Sequence, residues 1–152
     1  MKTKKKKTTN ALTEALRLAL ADSYAVLAQT HLCHWNVRGP SFFALHAAFE
    51  EQYTELFPAV DEIAERIRAL GELAPGGLGS LAKIAGIEEI EEDAPAEKMV
   101  SHLRDINTRL VKDLAKARDA AAEADDSETE DMMIARIQVH EKTIWMLDSY
   151  LA

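Results

Sequence analysis

The chain has 152 residues, 47% of them hydrophobic and 29% charged, with a single cysteine and a net charge of −8. That is one domain's length with ample apolar material for a core, which argues against a second core and a disordered chain; one thiol excludes an intrachain disulfide and any multi-thiolate zinc site. The charge is uneven: Lys2, Lys4, Lys5, Lys6 and Lys7 stand in the first ten residues without an acid, and 13 basic against 26 acidic residues leave residues 11–152 at −13.

Aromatics are only 6% and the bulk is Ala, Leu, Glu, Lys, Arg and Ile, so an all-α domain is expected. Residues 1–9 read as a disordered lysine-rich tail, because like charges repel and nothing there can be buried. Asn10 is placed to cap a helix from Ala11 to about Val37, with Leu12, Leu16, Leu20, Tyr24, Leu27 and His31 at helical spacing. Gly39 and Pro40 end it. Ser41 then caps a second helix carrying Leu45, Phe49, Tyr53, Leu56, Val60, Ile63 and Ile67, which stops at Gly71.

From Gly71 to Pro95 runs a glycine-rich crossover in which Leu81 to Ile87 has length for only a helical turn or two. Pro95 suits the first turn of a third helix with Met99, Leu103, Ile106, Leu110 and Leu114, fading into Ala120–Ala124. After an acidic junction, Ser127 and Glu130 match a capping box for a fourth helix with Met132, Ile134, Ile137, Ile144 and Leu147. Four long helices with one long middle connection fit the ferritin-like plan of two hairpins joined by a crossover, as a single domain over residues 10–152.

Metal-ligating residue types gather in His31, His34, His46, Glu50, Asp61 and Glu65. Residues four apart share a helix face, so His46 with Glu50 and Asp61 with Glu65 form two chelating pairs on the second helix. All four fall within an arc of about 100°, yet at about 1.5 Å per residue Glu50 and Asp61 lie roughly 16 Å apart along the axis. Within one chain neither pair reaches the other's metal. Two copies packed antiparallel along this helix bring one chain's upper pair to the other's lower pair, and a twofold axis then makes two equal sites. His34, just before the Gly39-Pro40 break, is placed to fold over near His46 and complete the half-site. Two imidazoles and three carboxylates suit Fe(II) or another divalent transition metal. Glu-x-x-His occurs nowhere, so the intrachain di-iron arrangement of ordinary ferritin-type bundles is not expected.

The run His34-Trp35-Asn36-Val37-Arg38-Gly39-Pro40, followed by Phe43, Leu45-His46, Asp61, Ala64-Glu65-Arg66 and Leu70-Gly71, resembles the Dps family, the DNA-protecting mini-ferritins of starved bacteria. The resemblance covers essentially the whole folded chain. It implies that His34, His46 and Glu50 come from one subunit and Asp61 and Glu65 from its twofold mate; the family commonly has Asp where this chain has Glu50. It further implies a hollow twelve-subunit shell that oxidises Fe(II), with hydrogen peroxide preferred and dioxygen the other oxidant, and stores ferric mineral. Iron enters family shells through acidic pores near the start of the last helix, where Asp126, Glu128 and Asp131 are the candidates.

The acidic body suits iron, while the lysines Lys2, Lys4, Lys5, Lys6 and Lys7, repeated around a shell, would bind DNA phosphates without reading sequence. A cytoplasmic, nucleoid-associated protein is the expectation, since no apolar run approaches the roughly 18 residues of a membrane span. The alternative is a structural nucleoid DNA-binding protein of the same fold with weak or no ferroxidase activity. His31, His102 and His140 read as structural histidines, Cys33 as a buried small hydrophobe and Met132-Met133 as core or interface filler. Trp35 has two equal readings: packing beside the metal, or packing in the core or an interface.

Overall fold

A computed structural model describes the backbone of residues 2–152 and the side chains of residues 10–152. Five helices follow in order: α1 Lys2–Asn36, α2 Phe42–Ala69, α3 Leu78–Ile84, α4 Ala96–Glu123 and α5 Ser127–Leu151, with no strand among the described residues. α1 pairs with α2 and α4 with α5; α1 packs on α4 to join the hairpins, and α2 meets α5 least. This is the all-α four-helix bundle with a short helix in the crossover. Its core follows the helical stripes read from the sequence on the first three long helices, where Leu12, Leu16 and Leu20 of α1, Phe49 and Ile63 of α2 and Leu103 and Leu110 of α4 are almost wholly buried; on α5 Met133 is buried, whereas Ile134, read into the stripe, is 38% exposed. Each such burial stabilises by about 1.5–3 kcal/mol.

Three local expectations change. α1 begins at Lys2, so Asn10 lies inside the helix instead of capping it, and the boundary drawn at residue 9 between a disordered tail and the bundle is not a break in the helix. Lysine is a good helix former, and propagating an existing helix through it is cheap compared with nucleating one. The side chains of residues 1–9 lie outside the described residues. α3 begins at Leu78, directly after Gly77, ahead of the expected Leu81. α5 is capped by Asp126, whose carboxylate accepts from Thr129 N at 3.1 Å, so the Ser127–Glu130 capping box is not formed.

The helix ends explain that last shift. α2 stops in a Schellman turn, in which Glu72 N donates to Ile67 O and Gly71 N to Arg68 O while Gly71 takes φ +97°. α4 stops the same way, with Asp126 N on Ala121 O and Asp125 N on Ala122 O, but the left-handed residue is Asp125 at φ 55°. The turn spends Asp125 and delivers Asp126 to the first turn of α5.

The crossover is held along α1. Arg17 Nη1 donates to Leu73 O (2.8 Å), Asp22 Oδ1 accepts from Gly86 N (2.8 Å), Gln29 Oε1 accepts from Ile90 N (2.9 Å), and Arg38 Nη2 donates to Asp93 O (3.1 Å). His102 of α4 donates to the same Gln29 oxygen at 3.1 Å, which is the structural role expected of it. The Arg109 guanidinium lies 2.1 Å from where a Cβ on Gly86 would stand, so a larger residue there would have to displace the end of that side chain. Beneath this contact Asp22 and Asp113, 0% and 2% exposed, each keep one oxygen without a hydrogen-bond partner, while Lys116 Nζ holds the other Asp113 oxygen at 2.6 Å. Burial, with the neighbouring Asp113 carboxyl adding to it, pushes Asp22 up to about 6. Protonation of Asp22 below that value relieves the repulsion between the two buried carboxyls.

Candidate metal centre

The turn at Gly39, φ +110°, folds the start of α2 back against the end of α1 and brings the two histidines together. His34 Nδ1 donates to His46 O, and His46 Nδ1 donates to His34 O, both at 2.8 Å. A carbonyl oxygen only accepts, so both Nδ1 atoms carry hydrogen and both Nε2 lone pairs remain for a metal. The rings stack with centroids 3.8 Å apart and planes 17° from parallel. The His34 carbonyl is one of the last four of α1, which have no acceptor role inside the helix, so His46 also satisfies a helix end. A hydrogen bond on the other ring nitrogen is how metal sites commonly orient a ligating imidazole.

An aromatic collar surrounds the pair. Phe42 stacks on His46 at 5.0 Å, and Tyr53 meets His34 edge-on at 5.1 Å. His31 rests on Tyr53 at 4.1 Å and lies parallel to Trp35 at 5.0 Å. Burial, with His34 nearby, pushes His31 below the ordinary histidine range, in keeping with a neutral packing ring. Trp35 itself is 68% exposed, which removes the core reading for it. Cys33 is fully buried and burial pushes its thiol up to about 12, so it is the inert small hydrophobe expected.

The carboxylates are arranged as the spacing requires and no closer. Glu50 is exposed one turn after His46 on α2, and Asp61 and Glu65 are exposed farther along the same helix. Among the described residues no three metal-ligating side chains converge within the chain. One chain thus presents a pinned imidazole pair and, at the other end of α2, a separate carboxylate pair.

At the start of α5, Asp126, expected in an acidic pore, has its carboxylate engaged within the chain. Arg66 Nη2 approaches its Oδ1 at 2.6 Å, Thr129 Oγ1 donates to Oδ2 at 2.6 Å, and Arg66 Nε donates to Thr129 Oγ1 at 2.7 Å. Burial works against ionisation, but the Arg66 and Thr129 bonds outweigh it and hold the carboxyl below the usual range. Asp126 is a latch between α2 and α5, its carboxylate accepting from Arg66 Nη2, Thr129 N and Thr129 Oγ1. Glu128 and Asp131 are exposed. The sequence reading also missed a polar chain joining the exposed Glu55 to the buried Arg136, His140 and Asn107; its one local sign was the i, i+4 spacing of Arg136 and His140.

A four-helix bundle with a long crossover joining two hairpins defines the ferritin-like class, and the ferritin-like domain family matches residues 13–152. Within that class the chain belongs to the Dps family. It is 39% identical over 136 residues to the DNA protection during starvation protein of Brevibacillus brevis, covering 90% of this chain and 91% of that one. The crystal structure of a Dps protein from Bacillus brevis is similar with a TM-score of 0.92 at 36% identity, over 96% of this chain and 98% of that one. That of the Dps protein from Vibrio cholerae O1, described as a member of a broad superfamily of ferritin-like diiron-carboxylate proteins, gives 0.91 at 32% identity, over 96% and 92%. No helix among the described residues is long and apolar enough to cross a membrane.

Proposed function

We propose that this chain oxidises Fe(II) and stores the ferric product inside a homo-oligomeric shell of twelve copies, at sites shared between two copies. The observation that carries the reading is the reciprocal His34–His46 hydrogen bonding, which commits both Nδ1 atoms and leaves both Nε2 atoms for a metal. Glu50 extends that half-site, and Asp61 and Glu65, roughly 16 Å farther along α2, find a role only when a second copy runs antiparallel and lends them to the first. Iron is the substrate here. Nitrogen and carboxylate donors without thiolate suit it, and the di-iron description of the Vibrio cholerae relative supports the choice.

In this reading two Fe(II) each give one electron to one hydrogen peroxide, which takes up two protons and leaves as two waters. Paired transfer releases no hydroxyl radical, and that is the protective logic. Dioxygen is the second oxidant. Glu128 and Asp131, exposed at the start of α5, supply an acidic entrance, and the −13 charge of residues 11–152 gathers Fe(II). Lys2, Lys4, Lys5, Lys6 and Lys7 bind DNA phosphates through counterion release, in the cytoplasm, where the nucleoid lies. Protection of DNA is the activity for which the Brevibacillus brevis relative is named.

The experiment loads the protein anaerobically with Fe(II), adds limiting peroxide and follows iron through size-exclusion chromatography. Two Fe(II) oxidised per peroxide, with ferric iron eluting in a large assembly, is the expected result. Iron that precipitates as it does without protein overturns the storage reading. Retention of DNA is expected to disappear in a chain lacking residues 1–9, and unchanged salt-sensitive retention would sink the assignment to the lysines.

A further inference from the structure

Between α2 and α5 the bundle opens into a cavity of about 110 Å3, whose lining includes Thr30, Gln52, Glu55, Asn107 and His140. A directed chain of hydrogen bonds runs beside it. Asn107 Nδ2 donates to Leu103 O at 2.7 Å, which turns Asn107 Oδ1 toward His140 and makes His140 Nδ1 the donor at 2.7 Å. His140 Nε2 then carries the lone pair, and it accepts from Arg136 Nη2 at 3.2 Å. Arg136 forks onto Glu55, with Nη2 on Oε2 at 2.9 Å and Nη1 on Oε1. Gln52 Oε1, on the same cavity, is buried and accepts no hydrogen bond among the described residues.

His140 is therefore held as a metal-bound histidine is held: Nδ1–H on a fixed acceptor, Nε2 aimed at a cation, with a carboxylate gripping that cation from a facing helix. Bundle cores of this class are where carboxylates and histidines on facing helices build metal sites. Here the cation is part of the chain. We propose that the bundle interior is a cation site with a built-in occupant, in which the Arg136 guanidinium stands between Glu55 and His140 in the place of a divalent metal and so keeps metal ions out of the interior. Burial and Arg136 together push His140 down to about 3, so the ring stays a neutral acceptor across the physiological range. The exclusion follows from charge and lone-pair use: a second cation would find His140 Nε2 occupied and Glu55 neutralised. That iron is thereby confined to the α1–α2 site rests on the function proposed above, whereas the occupancy of the interior by Arg136 does not.

Co(II), bound anaerobically to the full-length assembled protein and read by its visible absorption and by equilibrium dialysis, tests the proposal independently of iron oxidation. All variants carry Asp61→Ala and Glu65→Ala, and the Co(II) still held at His34 and His46 is the common background. Arg136→Ala is expected to gain one Co(II) per chain over this background, Arg136→Lys to gain none, and Arg136→Ala with His140→Phe to lose the gain. A folded Arg136→Ala assembly that binds no added Co(II), or a gain that survives His140→Phe, overturns the proposal. Should the alanine variant fail to fold, Arg136→Gln takes its place and the same two results decide.

Discussion

His34 and His46 at the α1–α2 turn and His140 inside the bundle all donate Nδ1–H to a fixed oxygen, two of them to backbone carbonyls and the third to Asn107. They differ in what Nε2 finds. At the turn it finds no hydrogen-bond partner among the described residues, beside Glu50, an exposed carboxylate one turn after His46; toward the interior it finds Arg136, already paired with Glu55. The contrast shows that orientation alone does not separate a ligand histidine from a structural one, because both kinds are pinned alike. What separates them is whether the fold supplies a cation of its own. An open half-site waits for charge from outside, and a closed network carries charge of both signs within it.

The comparison is broken most severely at the open site. Asp61→Ala with Glu65→Ala is expected to slow rapid Fe(II) oxidation by at least about 100-fold in a folded assembly, measured by stopped-flow absorbance. Co-assembly of that variant with His46→Ala chains sharpens the result. In a mixed pair one site loses every altered ligand type and the other keeps a full set, so activity returns in part; a mixture as inactive as its components refutes a shared site.

The closed site responds in stability. His140→Ala leaves Asn107 Oδ1 and the Arg136 Nη2 bond without their partner, and a loss of about 1–3 kcal/mol in urea denaturation is expected, with little change at the α1–α2 turn. An equal effect on iron oxidation at the half-site would erase the distinction between the two regions.

Titration separates them further. His140 is neutral in the folded chain down to about 3, below its ordinary 6.5, so its contribution is present above 6.5 and is lost as pH falls from there toward 3. Asp22 has the opposite sign: raised from 3.8 to about 6, it favours the fold fully below 3.8, and that advantage is lost as pH rises through 6. Each slope is at most about 1.4 kcal/mol per pH unit, and over the shared window they oppose. Asp22→Asn is expected to remove the compensating slope, leaving stability that falls on acidification, as read from denaturation midpoints across that window. A profile unchanged from wild type contradicts the raised Asp22 carboxyl.

The smallest effect is expected at a position remote from both histidine sites. Asp125 holds φ 55° at the end of α4, and Asp125→Gly relieves that conformation, raising stability by about 0.5–1 kcal/mol without altering metal binding. A loss of stability there would mean that the Asp125 side chain contributes more than its backbone costs.

Much of the molecule was legible because it is local. The stripes from Leu12 to Leu20 and from Met99 to Leu114 follow the helical period, the glycines at 39 and 71 mark left-handed turns, and the pairs His46–Glu50 and Asp61–Glu65 are one helical turn apart wherever the helix goes. Even the meeting of His34 and His46, twelve residues apart, is set by one tight turn. The cap of α5 was misplaced by one residue because Asp126, Ser127 and Glu130 offer competing local caps, and the choice came from the Schellman turn that Asp125 completes.

What the sequence by itself determined, then, is the helical order, the two-hairpin plan and the meeting of His34 and His46 at the first turn, since these depend on periodicity and on contacts a few residues long. Only the tertiary structure decided the partners of Asp126 and Arg136. Arg66 finds Asp126 60 residues away and Arg136 finds Glu55 81 residues away, across the seam where α2 and α5 approach least. It decided likewise that Asp22 and Gln29 grip the crossover and that Asp113 lies against Asp22. Periodicity tells which face of a helix is apolar, but a polar residue on that face is satisfied only by whatever the packing of distant helices happens to bring within hydrogen-bonding reach.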